Sequence, residues 1–446
     1  METVWRLTAS RPGSVITLPW THECVSSPPA RDLPVETETR TNHAAVTARA
    51  SGTADPTSAR AARPPGQLCN LSRMATDSNP AAQGSPEAQG SPADAAAALA
   101  GRLRHDMVGA LELFTVYLGE RLGLYRALDR DGPATSSELA GRTGTAERYV
   151  REWLEHHAAS GLLEVDDPAA GPLVRRYRLP PAHVPVLADP DNVRYRAFSG
   201  IEIVRAGRWL PQLVEAFRTG DAPPPLPWAP EGRAEYNRAV FLNLLGTQWL
   251  PAIPAVHRRL RRQPPARIAD LACGAGWSTI AMAQAYPLVL VDGFDLDPDV
   301  IAAARRNAGQ AGVSGRVTFA VTDASGPGMS GRYDLVTIFE GLHDMSRPVD
   351  ALRAARGVLG RTGSVIIADE LVEDEFTAPA TELERYHYGW SVVSCLPSAM
   401  GDPRTSATGA VMRPATLRRY AQQAGFASVE VLPLETETWR FYRLTP

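Results

Sequence analysis

The chain contains no lysine; all 46 of its basic residues are arginine, a mark of GC-rich coding and not of function. No run of about 18 uncharged apolar residues occurs, so no membrane-spanning helix is expected. Cysteine is confined to Cys24, Cys69, Cys273 and Cys395. None sits in a CxxC pair and no Cys/His spacing suits zinc, so no metal site is expected. His156 and His157 are neighbours on an expected helix and point in different directions, which argues against a shared ion. The opening residues lack an apolar core bounded by a cleavage site, so no secretory signal is read and a reduced cytoplasm is the expected compartment. A net charge of −3 gives no bulk reason to expect nucleic acid or a membrane as partner.

What is present is the composition of an ordinary globular protein: 446 residues, 44% hydrophobic and 21% charged, enough for two or three domains. Residues 1–104 are rich in Ala, Pro, Ser, Thr and Gly without a sustained period. They are expected to be disordered; the alternative is a start at Met74, with residues 1–73 not translated. Order is expected from about residue 105. Leu111, Phe114, Leu118, Leu122 and Tyr125 recur at helical steps, and Gly132-Pro133 breaks the chain. Thr135 and Glu138 form a capping-box pattern. Thr145 is placed to cap a third helix whose buried face is Val150, Trp153, Leu154, Ala158 and Leu162. Strands at Leu163–Val165 and Val174–Leu179 complete a winged helix over 105–180. Between Gly101 and Pro180 eleven Arg face twelve Asp and Glu. A DNA reader presents a basic face, so dimerisation and lid roles are expected here, and nucleic acid is not. Residues 181–262 are read as a helical linker and lid, Pro-rich at Ala222–Pro230. Most of their aromatics, Trp209, Trp228 and Phe241 among them, are expected in the core.

From Arg267 strands and helices alternate, which implies a mostly parallel sheet covered on both faces. Strands are expected at 267–271, 288–294, 317–322, 335–339 and 364–368, then a helix at 417–424 and a closing hairpin of 429–432 and 440–444. The loop after the first strand reads Asp270-Leu271-Ala272-Cys273-Gly274-Ala275-Gly276. It does not fit GxGxxG in either register, and an acid before the turn suits a cationic cofactor better than a pyrophosphate. Asp295 ends the second strand and can accept ribose hydroxyls. Asp323 ends the third. Three acids at three consecutive strand ends carry more weight than one glycine loop.

These residues resemble the class I S-adenosylmethionine methyltransferases over 266–446. The Phe339-Glu340-Gly341-Leu342-His343-Asp344-Met345 run and Cys395-Leu396-Pro397 make the chain similar to the actinobacterial winged-helix methyltransferases over about 105–446. The resemblance implies an α/β, Rossmann-like seven-stranded methyltransferase sheet over 263–446 behind a mostly α winged-helix domain. It departs at Ala272, where the family has its first loop glycine. It also implies that Asp270, Gly274 and Gly276 meet the methionine part of S-adenosylmethionine, Asp295 the ribose, and Asp323 and Ala324 the adenine, with Ala272, Cys273 and Leu296 also at the cofactor. Phe339 and Glu340 would floor the sulfonium. His343, oriented by Asp344, is the implied base, with Glu340, Asp369, Glu370 and His387 behind it. The expected activity is methyl transfer to a small-molecule acceptor, at oxygen, by a homodimer. The alternative is a regulator that binds the cofactor and uses its winged helix on DNA.

Overall fold

The computed structural model of the chain describes residues 91–224, 233–326 and 328–446. The low-complexity reading of residues 1–90, and Trp228, therefore lie outside the described residues. Order begins earlier than expected, with α1 (Pro92–Arg121). Ser91 and Asp94 exchange capping bonds at 3.2 and 3.1 Å and Pro92 takes the first position. The alanine run that follows is a strong helix former even with every side chain in water.

Gly123, at φ 67°, ends this helix one turn before the expected stripe is complete. Tyr125 thus falls on α2 (Leu124–Asp131), fully buried, while Leu111, Phe114, Leu118 and Leu122 remain exposed on α1. α3 (Ser136–Thr143) opens on the Thr135–Glu138 capping box, with bonds of 3.3 and 2.9 Å. α4 (Glu147–Ala159) buries Val150, Trp153 and Leu154; its cap is Ala146, and Thr145 pairs with Thr143 instead. The wing is small: β1 (Glu164–Val165) against β2 (Tyr177–Arg178), antiparallel. His157 is part of this core. Its Nε2 lies 2.7 Å from the Tyr125 hydroxyl, and burial lowers its pKa to about 3, so it stays neutral.

The connecting helices are α5 (Val184–Leu187), α6 (Phe198–Thr219), α7 (Arg233–Val240) running into a π-helical stretch at Phe241–Trp249, and α8 (Pro254–Leu260). Tyr195, Phe198, Trp209, Tyr236, Phe241 and Trp249 are all buried, as core aromatics. No single helix among the described residues is long and apolar enough to cross a membrane.

The larger sheet alternates with its helices: β3 (Arg267–Leu271), α9 (Trp277–Ala285), β4 (Leu290–Asp295), α10 (Pro298–Gln310), β5 (Val317–Val321), β6 (Tyr333–Phe339), α11 (Pro348–Val358) and β7 (Leu359–Glu370). An insertion follows, α12 (Glu382–Trp390), a π-helical Ser391–Cys395 and α13 (Leu396–Ala399), then α14 (Pro414–Gln423), β8 (Ser428–Val431) and β9 (Trp439–Thr445). The strand order is β5-β4-β3-β6-β7-β9-β8. The first five are parallel; β9 runs antiparallel between β7 and β8. The chain order reverses between β3 and β6, so a crevice opens over their carboxyl ends. One face of the sheet packs Ile268 and Phe441 against Ile280 and Leu245; the other packs Leu271 and Ile338 against Leu352 and Leu417. Each such side chain contributes about 1.5–3 kcal/mol by leaving water, which makes the crevice a rigid platform.

Candidate functional site

The loop after β3 is shaped by its backbone before any ligand is considered. Ala272 stands at φ 54°, a left-handed conformation that costs an L-residue about 1 kcal/mol. A Cβ on Gly341 would come within 2.9 Å of the Ala272 methyl, so glycine there gives the methyl its room. Gly274 (φ 54°) faces open space, whereas a Cβ on Gly276 (φ 83°) would strike Ala304 and Phe319 at 2.9 Å. Gly274 leaves an approach for a ligand; Gly276 lets α9 close on the sheet.

Asp270 does not face the crevice, contrary to its expected contact with the methionine part. It is 1% exposed and accepts from Ser278, Thr279 and Thr337 hydroxyls, each at 2.6 Å. Burial raises its pKa against the opposing pull of these donors. Its place is behind the loop, tying β3 to β6 and to the first turn of α9. Cys273 and Phe339 are likewise buried, Phe339 against Phe241 at 5.7 Å between ring centres.

A cavity of about 560 Å³ lies over the strand ends, lined among others by Ala272, Asp295, Leu296, Asp323, Ala324, Glu340 and Asp344. Asp295, at the end of β4, accepts from the Gly274 and Asp297 amides at 2.9 and 3.1 Å. Burial raises its pKa even so. Asp323, after β5, accepts from the Ser325 amide at 2.8 Å and is bridged by Arg347, which also reaches Asp402 at 3.1 Å. Glu340, after β6, is held at φ 53° with its amide on the Ala368 carbonyl at 2.8 Å. Its carboxylate accepts from Asn237 of α7 at 3.0 Å, which fastens a strained residue to that helix.

His343 is 2% exposed and does not line this cavity. Its Nδ1 donates to Asp369 at 2.8 Å, and its Nε2 lies 3.3 Å from Asp344, whose side chain is 46% exposed. The orienting acid is therefore Asp369, at the end of β7, and not Asp344, which stands between the ring and the cavity. Burial disfavours the imidazolium, but Asp369 and Asp344 outweigh it and hold the pKa well above the ordinary histidine value. The Cys395 thiol joins this cluster, with the ligand atoms of His343, Asp344 and Cys395 all within 4.8 Å of one another. Burial beside Asp344 pushes that thiol up to about 12. His387 and Glu370, the other fallbacks, pair at 3.4 Å and line a separate cavity.

Sequence reasoning reached Asp295, Asp323, Glu340 and Asp344, which the fold brings to one cavity, and missed Arg347, Asn237 and the link from Cys395 to His343. These join segments far apart in the chain, and no local spacing announces them.

Residues 268–363 match a family model described as a methyltransferase domain, and residues 109–189 one described as an Rv2258c-like winged HTH domain. A trans-aconitate 2-methyltransferase of Streptomyces avermitilis is 30% identical over 152 residues, 34% of this chain and 52% of that protein. The chain thus spans about half the length of this relative. A 3-hydroxy-5-methyl-1-naphthoate 3-O-methyltransferase of Streptomyces sahachiroi is 29% identical over 274 residues, 58% of this chain and 73% of that one. Among solved structures, a mitomycin 7-O-methyltransferase superposes with a TM-score of 0.57 at 20% identity, covering 79% of this chain and 99% of its own. Human N-acetylserotonin methyltransferase, solved with its methyl donor, gives 0.59 at 17%, covering 81% and 99%. At these identities the likeness is one of fold. The chain therefore carries a methyltransferase domain within residues 268–363, preceded by a winged HTH domain within residues 109–189.

Proposed function

We propose that the chain transfers a methyl group from S-adenosylmethionine to an oxygen of a small-molecule acceptor. The observation that carries this is the set of carboxylates Asp295, Asp323 and Glu340, at the ends of β4, β5 and β6, lining one cavity. The residues fit the group. Asp295 keeps acceptor capacity beyond its backbone bonds and suits two ribose hydroxyls. Gly274 leaves room beside the loop, and an acidic wall attracts a cation. Bound there, S-adenosylmethionine supplies a methyl group carried on a sulfonium, an electrophile attacked in line.

The protein's own task is to hold the two partners collinear in a dry site. Glu340, fastened to the lid through Asn237, closes the cavity from above. Asp344 faces the acceptor and accepts its hydroxyl proton, with His343 behind it, held by Asp369, as the group that keeps that proton. The relatives' acceptors, a naphthoate and a mitomycin among them, support a small organic substrate. We also assign the exposed α1 face to a second copy of the chain. Leu103, Met107, Leu111, Phe114, Leu118 and Leu122 form a stripe six side chains long, each at least 44% exposed.

The DNA-binding alternative has weaker support. On α4 Arg148 pairs with Glu152 at 2.6 Å and Arg151 with Glu147 at 3.1 Å, so the would-be recognition helix presents neutralised charge. The test is release of S-adenosylhomocysteine from a panel of hydroxylated aromatic and aliphatic small molecules, beside protein and RNA. Turnover on a small molecule is expected; labelling of protein or RNA alone would overturn the acceptor assignment.

A further inference from the structure

We infer that His343, Asp344 and Cys395 form a binding site for one divalent transition-metal ion of the zinc type, and that the ion, once bound, switches methyl transfer off. The site stands by itself; the inhibition rests on the methyl-transfer reading.

Spacing along the chain announces no such site, because its ligands come from two remote segments. His343 and Asp344 belong to the loop after β6, and Cys395 ends the π-helical stretch of the insertion. The fold brings their ligand atoms within 4.8 Å of one another. A tetrahedral zinc ion holds nitrogen and oxygen at about 2.0–2.2 Å and sulfur at about 2.3 Å, which sets such ligands about 3.3–3.6 Å apart. The His343 Nε2 and the Asp344 carboxylate stand at 3.3 Å, the length of one edge of that tetrahedron. The other two edges are at most 4.8 Å, so side-chain shifts of about an ångström complete it.

The surroundings are those of a metal-binding histidine. Nδ1 donates to Asp369 at 2.8 Å, which fixes the ring and leaves Nε2 as the ligand atom. His343 and Asp369 are both buried, so packing holds this support in place. Asp344 lines the cavity over the strand ends and gives the ion its way in. A thiolate, an imidazole and one carboxylate select zinc or cobalt over magnesium and calcium, which prefer oxygen alone. On binding, the Cys395 thiol proton and any proton on Nε2 pass to solvent, and sulfur, nitrogen and oxygen each donate an electron pair to the ion. One thiolate and one carboxylate then cancel its two charges. Three protein ligands leave a fourth position for water. With Nε2 and Asp344 both ligated, neither can take the proton of an acceptor hydroxyl, and transfer stops.

The test titrates the full, metal-free chain with cobalt(II), whose spectrum reports its ligands, and with zinc by calorimetry. A single equivalent of cobalt should bind, with a thiolate-to-cobalt charge-transfer band in the near ultraviolet and the intense visible bands of four-coordinate geometry; zinc should displace it. Cys395→Ser should lose the charge-transfer band, which excludes Cys24, Cys69 and Cys273 as its source. Asp369→Asn should weaken zinc binding by about 10–100-fold, the scale of a lost partner behind a ligating histidine. Both variants should bind S-adenosylhomocysteine as the wild type does, which also shows that they fold. One equivalent of zinc should stop turnover on a small-molecule acceptor, and a chelator should restore it. No cobalt band, a band that survives in Cys395→Ser, or magnesium binding as tight as zinc overturns the site. Zinc held by these residues without loss of turnover overturns the inhibition. A protein that binds zinc there but methylates no small molecule keeps the site and overturns both the methyl-transfer reading and the inhibition that rests on it.

Discussion

At the scale of single residues, Asp270 and Asp295 are the same side chain at the ends of neighbouring strands, yet they are set to do different things. Asp270 is enclosed by three hydroxyl donors. Asp270→Ala strands those donors in the interior and should cost about 2–4 kcal/mol of stability, read from chemical denaturation. Ala272→Gly should act in the other direction. It removes left-handed strain, and the unfolding free energy should rise by up to about 1 kcal/mol. An unchanged or lower value would mean that the methyl earns its place by packing. His343 carries a signature in pH. Its proton is held to higher pH than an ordinary histidine's because Asp369 and Asp344 outweigh the effect of burial. If turnover needs the neutral ring, the rate should climb with pH through a midpoint above about 6.5, and Asp369→Asn should move that midpoint down. The same raised pKa stabilises the fold fully below about pH 6.5 and ceases to do so as pH rises through the folded-state value. A rate profile with no limb in this range, or one that Asp369→Asn leaves in place, would remove His343 from the proton path.

At the scale of elements, the sheet was legible because its strands are continuous apolar runs bounded by turn residues, and because Asp297 with Pro298 marks a helix start by itself. Every expected strand of the catalytic domain is present, within a few residues of its expected bounds. The Thr135–Glu138 cap was legible for the same reason: its chemistry is local. What could not be read is what depends on which way a side chain turns. Spacing places Asp270 at a strand end but does not say that Thr337, 67 residues on, will claim it. His343 and Asp344 are adjacent in sequence, which suggested that one orients the other; the true partner of Nδ1 is Asp369, supplied by the next strand. The start of α1 was missed because an alanine-rich segment has no apolar period, while helix propensity needs none. The link from α7 to the sheet shows the same limit. Asn237 fastens α7 to Glu340 across 103 positions, and Asn237→Ala should loosen that closure, weakening cofactor binding severalfold without lowering the melting temperature by more than a few degrees.

At the scale of the whole molecule, the winged helix and the larger sheet are joined by helices that bury Tyr195, Phe198, Trp209, Tyr236, Phe241 and Trp249 and leave Phe217 exposed. The apolar stripe on α1, each side chain at least 44% exposed, is the surface proposed to pair with a second copy. Sedimentation should show a dimer, and Leu118→Asp with Phe114→Asp should return it to monomer while leaving the catalytic domain folded. A wild-type monomer at micromolar concentration would remove α1 as an interface. The claim on which the rest depends is that carboxylates at adjacent strand ends hold one adenosyl cofactor. Calorimetric titration with S-adenosylmethionine, S-adenosylhomocysteine and NAD tests it most directly, on the wild type and on Asp295→Ala. Micromolar binding of the first two, none of NAD, and a loss of at least about tenfold in the variant are predicted; binding of NAD, or an Asp295→Ala protein that holds S-adenosylmethionine as tightly as the wild type, would contradict it.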